Sequence, residues 1–231
     1  MPLQIDLNCD LGEGAGHDVE LMGLITSANI ACGAHAGDEA TMRATVALAM
    51  KHGVAIGAHP GFADRENFGR CDLTLSAQEV EDLVAGQLIA LRALAPVTHV
   101  KPHGALYNLA ARDAVVAGAI VGAMCAVDAA LVLFALRGSV LVRVGRERGL
   151  RVAEEVFADR TYRADGSLTP RTVPGALITD AAECVAQALR LVSAGADTIC
   201  LHGDGPDAMA FARRLRDALG RAGVAVRAYG R

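Results

Sequence analysis

The sequence predicts an α/β fold, a closed seven-stranded β/α barrel of the TIM-like kind. Three observations lead there. Short apolar runs alternate with helix-length segments along the whole chain, which is the pattern of repeated βαβ units. The runs are apolar through most of their length, as expected of parallel strands covered on both faces. All but one of them end in polar or ionisable groups, and a parallel barrel gathers the carboxyl ends of its strands on one rim. An open doubly wound sheet also fits the alternation, but it concentrates ligand chemistry at a single switch point. Polar groups at so many strand ends favour closure.

Taken in order, residues 3–7 lead into Asn8 and Asp10, and 27–31 into Cys32 and His35. Residues 54–58 reach His59, and 97–100 reach Lys101 and His103. The run 129–136 ends without a reactive group. Residues 152–157 lead to Asp159 and Arg160, and 198–201 to His202 and Asp204. Residues 224–229 offer a final short strand.

Helices are expected between these runs. One covers 38–52 and stops at Gly53, a left-handed cap. The capping box Ser76-Ala77-Gln78-Glu79 opens a helix to about Leu94. Further helices cover 113–126 and 138–148, the latter ended by Gly149. Asp180 opens a helix that stops at Gly195, and Gly205-Pro206 starts the last long one. Two polar stretches, 61–72 and 162–174, are loops over the same rim, where lids and binding loops are found.

At 231 residues a single β/α-barrel domain, 1–231, is the expectation. Hydrophobic residues make up 52% of the chain, enough for a large core. Trp is absent and only 3% of residues are aromatic, which argues against a base-stacking surface. The net charge of −4 and the lack of a basic stripe argue against phosphate-backbone binding. The six cysteines show no C-x-x-C spacing, so a reducing compartment fits. The N-terminal residues show no basic leader, and no charge-free run approaches a membrane span. A cytoplasmic location is expected.

The sharpest local signal is Thr98-His99-Val100-Lys101-Pro102-His103-Gly104. On a strand His99, Lys101 and His103 share a face, and a buried Lys with two His needs partners. His99, deeper in the strand, reads as structural. Asp6, Asn8 and Asp10 share a face of the first strand in the same way. A carboxylate near Lys101 holds it charged, and Asp10, nearest the strand end, is the candidate general base. Asp6 reads as a core residue. His35 and His59 sit among small residues that let the backbone approach a ligand. Cys200, His202 and Asp204 share a face, and the helix start after Gly205 can hold a phosphate or carboxylate. No Walker A sequence is present. Asp10, His59 and His103 can supply the ligands that zinc requires. The residues alone leave metal content open.

Several motifs carry a family likeness. They are Asp6-Leu7-Asn8-Cys9-Asp10-Leu11-Gly12-Glu13-Gly14, Ser27-Ala28-Asn29-Ile30-Ala31-Cys32-Gly33 with His35-Ala36-Gly37-Asp38, and Ile56-Gly57-Ala58-His59-Pro60-Gly61. The stretch from His99 to Asn108, Glu155-Val156-Phe157-Ala158-Asp159-Arg160 with Tyr162, and His202-Gly203-Asp204 complete the set. With these the chain resembles the LamB/YcsF family, the A subunits of bacterial ATP-dependent 5-oxoprolinases.

That resemblance implies a barrel similar to those of polysaccharide deacetylases and certain glycosidases. It implies cleavage of 5-oxo-L-proline to L-glutamate coupled to ATP hydrolysis, with Mg2+ accompanying ATP, in a complex with subunits B and C. For that reaction the chemistry of the residues assigns Asp10, Lys101, His103 and His59 to catalysis. Lys101 and His103 stabilise charge on the lactam oxygen or the transferred phosphoryl group, and Asp10 with His59 orients or deprotonates water. Asn8, Asn29, His35, Arg160, His202 and Asp204 bind substrate. Three positions depart from the family pattern. An aromatic is expected at Ala34, a Gly at Asn67 and an Arg at Cys71. Two other classes stay open at this point: a stand-alone metal-dependent amidohydrolase or deacetylase, and a non-catalytic lactam-binding subunit.

Overall fold

The structure, a computed structural model, describes residues 3–201 and 208–230. Strands and helices alternate as β1 (Gln4–Leu11), α1 (Asp18–Met22), β2 (Ser27–Ala31), α2 (Glu39–His52), β3 (Ala55–His59), α3 (Ala77–Arg92) and β4 (His99–Val100). Then come α4 (Gly104–Ala110), α5 (Ala114–Asp128), β5 (Val132–Leu136), α6 (Val140–Glu147) and β6 (Arg151–Phe157). The chain continues with α7 (Ala181–Ser193), β7 (Thr198–Leu201), α8 (Ala208–Arg221) and β8 (Ala225–Val226).

Seven parallel strands close a barrel in sequence order, and β1 pairs with both β2 and β7 to complete it. The short β8 pairs with Gln4 and Ile5 at the entry of β1. The helices form the outer layer. Their starts follow local capping chemistry: the Asp38, Asp113 and Asp180 carboxylates and the Ser139 hydroxyl accept from first-turn amides, and Ser76 with Glu79 forms a full capping box. Among the described residues no single helix is long and apolar enough to cross a membrane; α4 and α5 are apolar enough only as a pair, bent by 112°.

The expectation of strands apolar through most of their length needs correction for β1. Its outward residues Ile5, Leu7, Cys9 and Leu11 join the main core between sheet and helices. Its inward residues Asp6, Asn8 and Asp10 bond to side chains inside the barrel. Period-two alternation thus separates an apolar shell from a polar interior. The far side of the interior is apolar, with Val132, Phe134 and Ala153 in one cluster and Tyr107, Leu136, Phe157 and Cys200 in another.

Candidate active site

Each functional side chain comes from the carboxyl half of a strand or the loop that follows. Lys101 lies just past β4, and its ammonium turns into the barrel instead of out to water. Its Nζ stands 2.9 Å from Asp10 Oδ1 and 2.9 Å from Glu155 Oε1. It also donates to Asn8 Oδ1 at 3.2 Å and Cys200 Sγ at 3.0 Å. Burial opposes its charge, but Asp10, Cys200 and Glu155 outweigh that and hold its pKa well above the usual lysine value. Its carboxylate partners therefore favour the charged form of this buried amine.

Asn8 and Asn29 build the floor beneath it. The Asn8 amide donates to Glu155 Oε1 at 2.9 Å and Thr198 Oγ1 at 2.7 Å. The Asn29 amide donates to Asn8 Oδ1 and Asp10 Oδ1, both at 2.8 Å. His99 Nε2 reaches Asn29 Oδ1 at 2.9 Å, and its ring stacks on Phe134. The floor continues down to Asp6, which accepts from Thr26, Ser27 and Thr198. Burial pushes the Asp6 carboxyl up to about 6, partly countered by those hydroxyls.

Three histidines form the other side of the site. His59 Nδ1 faces the Lys101 carbonyl at 2.7 Å, and His103 Nε2 faces the Phe68 carbonyl at 2.8 Å. Their remaining nitrogens meet at 3.0 Å. His59 Nε2 is also 3.3 Å from Asp10 Oδ2. The His35 ring stacks on His103 with centroids 3.8 Å apart, and its Nε2 is 3.1 Å from Glu13 Oε1.

The charges of this group diverge. Burial first, then His59, lowers His35 to about 3; burial, then His59 and His35, lowers His103 to about 3. His59 moves the other way: burial opposes its charge, but Asp10 and Glu13 raise it. Burial raises Glu13 against the pull of His59. One imidazole poised for charge beside two neutral ones is the divergence that acid–base sites display.

A model of the LamB/YcsF family matches residues 5–231. The chain belongs to the LamB/YcsF family. The 5-oxoprolinase A subunit of Tolumonas auensis is 50% identical, over 97% of this chain and 99% of that one. A crystal structure of a lactam utilization protein from Thermus thermophilus is 45% identical with a TM-score of 0.91, covering 98% of this chain and all of the other. The catalytic domain of a peptidoglycan N-acetylglucosamine deacetylase from Eubacterium rectale shares the barrel, with a TM-score of 0.54 at 11% identity over 98% and 88% of the two chains. That last likeness is one of fold alone.

The LamB/YcsF barrel brings Asp10, His59, Lys101 and His103 together in one site, with Asn8, Asn29 and His35 packed against them. Asn8 and Asn29 were expected to touch substrate. Both are fully buried, and their amide groups bond to protein partners, Asp10, Lys101 and Glu155 among them. His35 is buried against Glu13. Arg160 is buried behind the loop 162–174 and donates to the Thr169 carbonyl at 2.6 Å; its Nε has no hydrogen-bond partner among the described residues. Burial, then Arg171, lowers its pKa. His202 and Asp204 lie outside the described residues, as does the helix start after Gly205.

Sequence reasoning missed Glu13, Glu155 and Tyr107 as site residues. Tyr107 donates to Glu155 Oε2 at 2.7 Å. Glu155 was legible in principle, since a carboxylate at an inward position of an apolar strand needs a partner. Glu13, in a glycine-rich turn, carried no such mark. The three positions expected to depart from the LamB/YcsF pattern lie outside the strands and helices. The Asn67 side chain donates to Asp64 Oδ1 at 2.9 Å, and Phe68 follows at φ 57, which turns its carbonyl onto His103. Cys71 is exposed, and Ala34 is partly exposed beside His35.

Proposed function

We propose that this chain is the A subunit of a 5-oxoprolinase and opens the lactam ring of 5-oxo-L-proline to L-glutamate. The observation that carries the reading is a buried Lys101 held between Asp10 and Glu155, in a chain half identical to the 5-oxoprolinase A subunit of Tolumonas auensis over nearly all of both lengths. A preorganised cation is what the reaction requires where negative charge develops on the carbonyl oxygen.

A five-membered lactam is an unstrained amide whose closure is favoured, so its hydrolysis needs a driving reaction. ATP supplies it: transfer of the terminal phosphoryl group to the carbonyl oxygen makes that carbon open to water. A first water adds to the carbon and the C–N bond breaks, the nitrogen taking a proton and leaving an acyl phosphate; a second water hydrolyses the acyl phosphate to glutamate and phosphate. In this chain Asp10, held beside His59, orients the attacking water and receives its proton. Lys101 faces the oxygen, His103 holds His59 across 3.0 Å, and Arg160 pairs with the substrate carboxylate.

The Lys101 ammonium is already shared by two carboxylates, and their negative charge opposes a triphosphate beside it. ATP and its Mg2+ are therefore assigned to a surface shared with subunits B and C, in the cytoplasm. The test is to assay glutamate release from 5-oxoproline by the purified chain alone and with its two partners, each with and without ATP. Release only with both partners and ATP is expected. ATP-independent turnover by the chain alone overturns the reading.

A further inference from the structure

We propose that Glu13, His59 and His103 form a binding site for one divalent transition-metal ion of the zinc type, beside the Lys101–Asp10 pair. The donor atoms already converge. His59 Nε2 and His103 Nδ1 are 3.0 Å apart, His103 Nδ1 and Glu13 Oε1 3.3 Å, and His59 Nε2 and Glu13 Oε1 3.7 Å. Ligands bound tetrahedrally at about 2.0–2.1 Å stand roughly 3.3 Å from one another. The observed triangle matches that edge without moving the backbone.

The far nitrogens reinforce it. A carbonyl can only accept, so His59 Nδ1 and His103 Nε2 each carry a proton, given to Lys101 O and Phe68 O. Histidines that ligate metals are held in this way, with the second ring N–H on a backbone carbonyl. In the neutral tautomers this fixes, two lone pairs face each other across 3.0 Å. Something positive must lie between them.

A proton can fill that place, but the charges around it favour a dication. Within ion-pair distance Asp10, Glu13 and Glu155 contribute three formal negative charges and Lys101 one positive, leaving two negative charges near the histidines, while Arg65 and Arg70 act on the cluster from exposed positions. One proton leaves one of these uncompensated, and a divalent ion leaves none. Two imidazoles and a carboxylate form a donor set of catalytic zinc sites that keep one position open, and nitrogen donors favour zinc over magnesium. His35 holds Glu13 from behind at 3.1 Å. Glu13 keeps some exposure at the mouth of the barrel, which gives the ion a way in. Bound there, the ion supplies a second electrophile next to Lys101.

The test uses the full-length chain, stripped with chelator and dialysed, without lactam, ATP or partner proteins. Its outcome is therefore independent of the turnover assay. Zn2+ and Mg2+ are titrated by calorimetry, and X-ray absorption of the zinc-loaded chain counts its imidazole ligands. One Zn2+ per chain, two imidazoles in its first shell and no saturable Mg2+ binding are expected. Glu13→Gln and His103→Gln should each weaken Zn2+ binding at least tenfold, while His52→Gln should not. Absence of stoichiometric Zn2+ binding overturns the site. So does a zinc shell without histidine, or unchanged affinity in whichever of the two variants folds.

Discussion

Lys101 Nζ and Glu155 Oε1 lie 2.9 Å apart inside the barrel, one from the end of β4 and the other from β6. Fifty-four residues separate them in sequence (155 − 101), and neither has significant exposure. Removing one member of a buried pair leaves the other charge uncompensated, which costs about 3–5 kcal/mol. Lys101→Met should therefore lower the unfolding free energy by about that amount in urea denaturation. Adding Glu155→Gln to it should restore part of the loss. A double variant no more stable than Lys101→Met would remove this pair from the account of stability.

Catalysis should depend on the same ammonium. In the complex with its partners, Lys101→Met should lower turnover of 5-oxoproline by about two orders of magnitude or more. Asp10→Asn keeps a hydrogen-bonding side chain against Asn29 and Lys101 but removes the base, and should fall by about 10²-fold or more. Near-parental turnover in either variant would take that residue out of the mechanism.

Arg160 should act on affinity rather than on the chemical step. Arg160→Ala should raise KM for 5-oxoproline about tenfold or more and change kcat less, as expected when a ground-state ion pair is lost. A fall in kcat at constant KM would assign the substrate carboxylate elsewhere.

Asp6 should give stability a measurable pH dependence. Burial raises its folded carboxyl to about 6 from 3.8, so the folded state holds the proton more tightly than the unfolded chain. Its contribution is most favourable below pH 3.8 and is lost as pH rises through about 6. Relative to the parent, Asp6→Asn should gain roughly 3 kcal/mol between pH 4 and 7. Parallel stability curves for the two proteins would refute the assignment.

Gly57 marks where the barrel interior has no room. A Cβ there would overlap His99 Nε2, because the His99 ring crosses toward Asn29 at that level. Gly57→Ala should displace His99, break its bond to Asn29 and destabilise the fold by about 1–3 kcal/mol. Thermal melting against the parent checks this, and an unchanged Tm would contradict the packing.

Much of this was readable from local chemistry. The caps Asp38, Ser76 and Asp180 placed their helices because a cap involves only its own first turn. The strand run 3–7 proved too short. β1 continues to Leu11 because Asn8 and Asp10, though polar, still pair with β2 and face the interior. The run 97–100 proved too long, since only His99–Val100 pairs before Pro102. α1 and α4 passed unseen because helices of 5 and 7 residues span too few turns to show a period.

The sequence by itself determined the alternation of strand and helix, the closed barrel it implies, and the pool of ionisable groups at the strand ends. Only the tertiary structure decided which of them meet. Lys101 takes Glu155 as well as Asp10, and His59 faces His103, because closure between β1 and β7 and the register of the strands bring them within hydrogen-bond reach. Coulomb and hydrogen-bond energies depend on separation in space, and no spacing along a chain records distances set by a closed sheet.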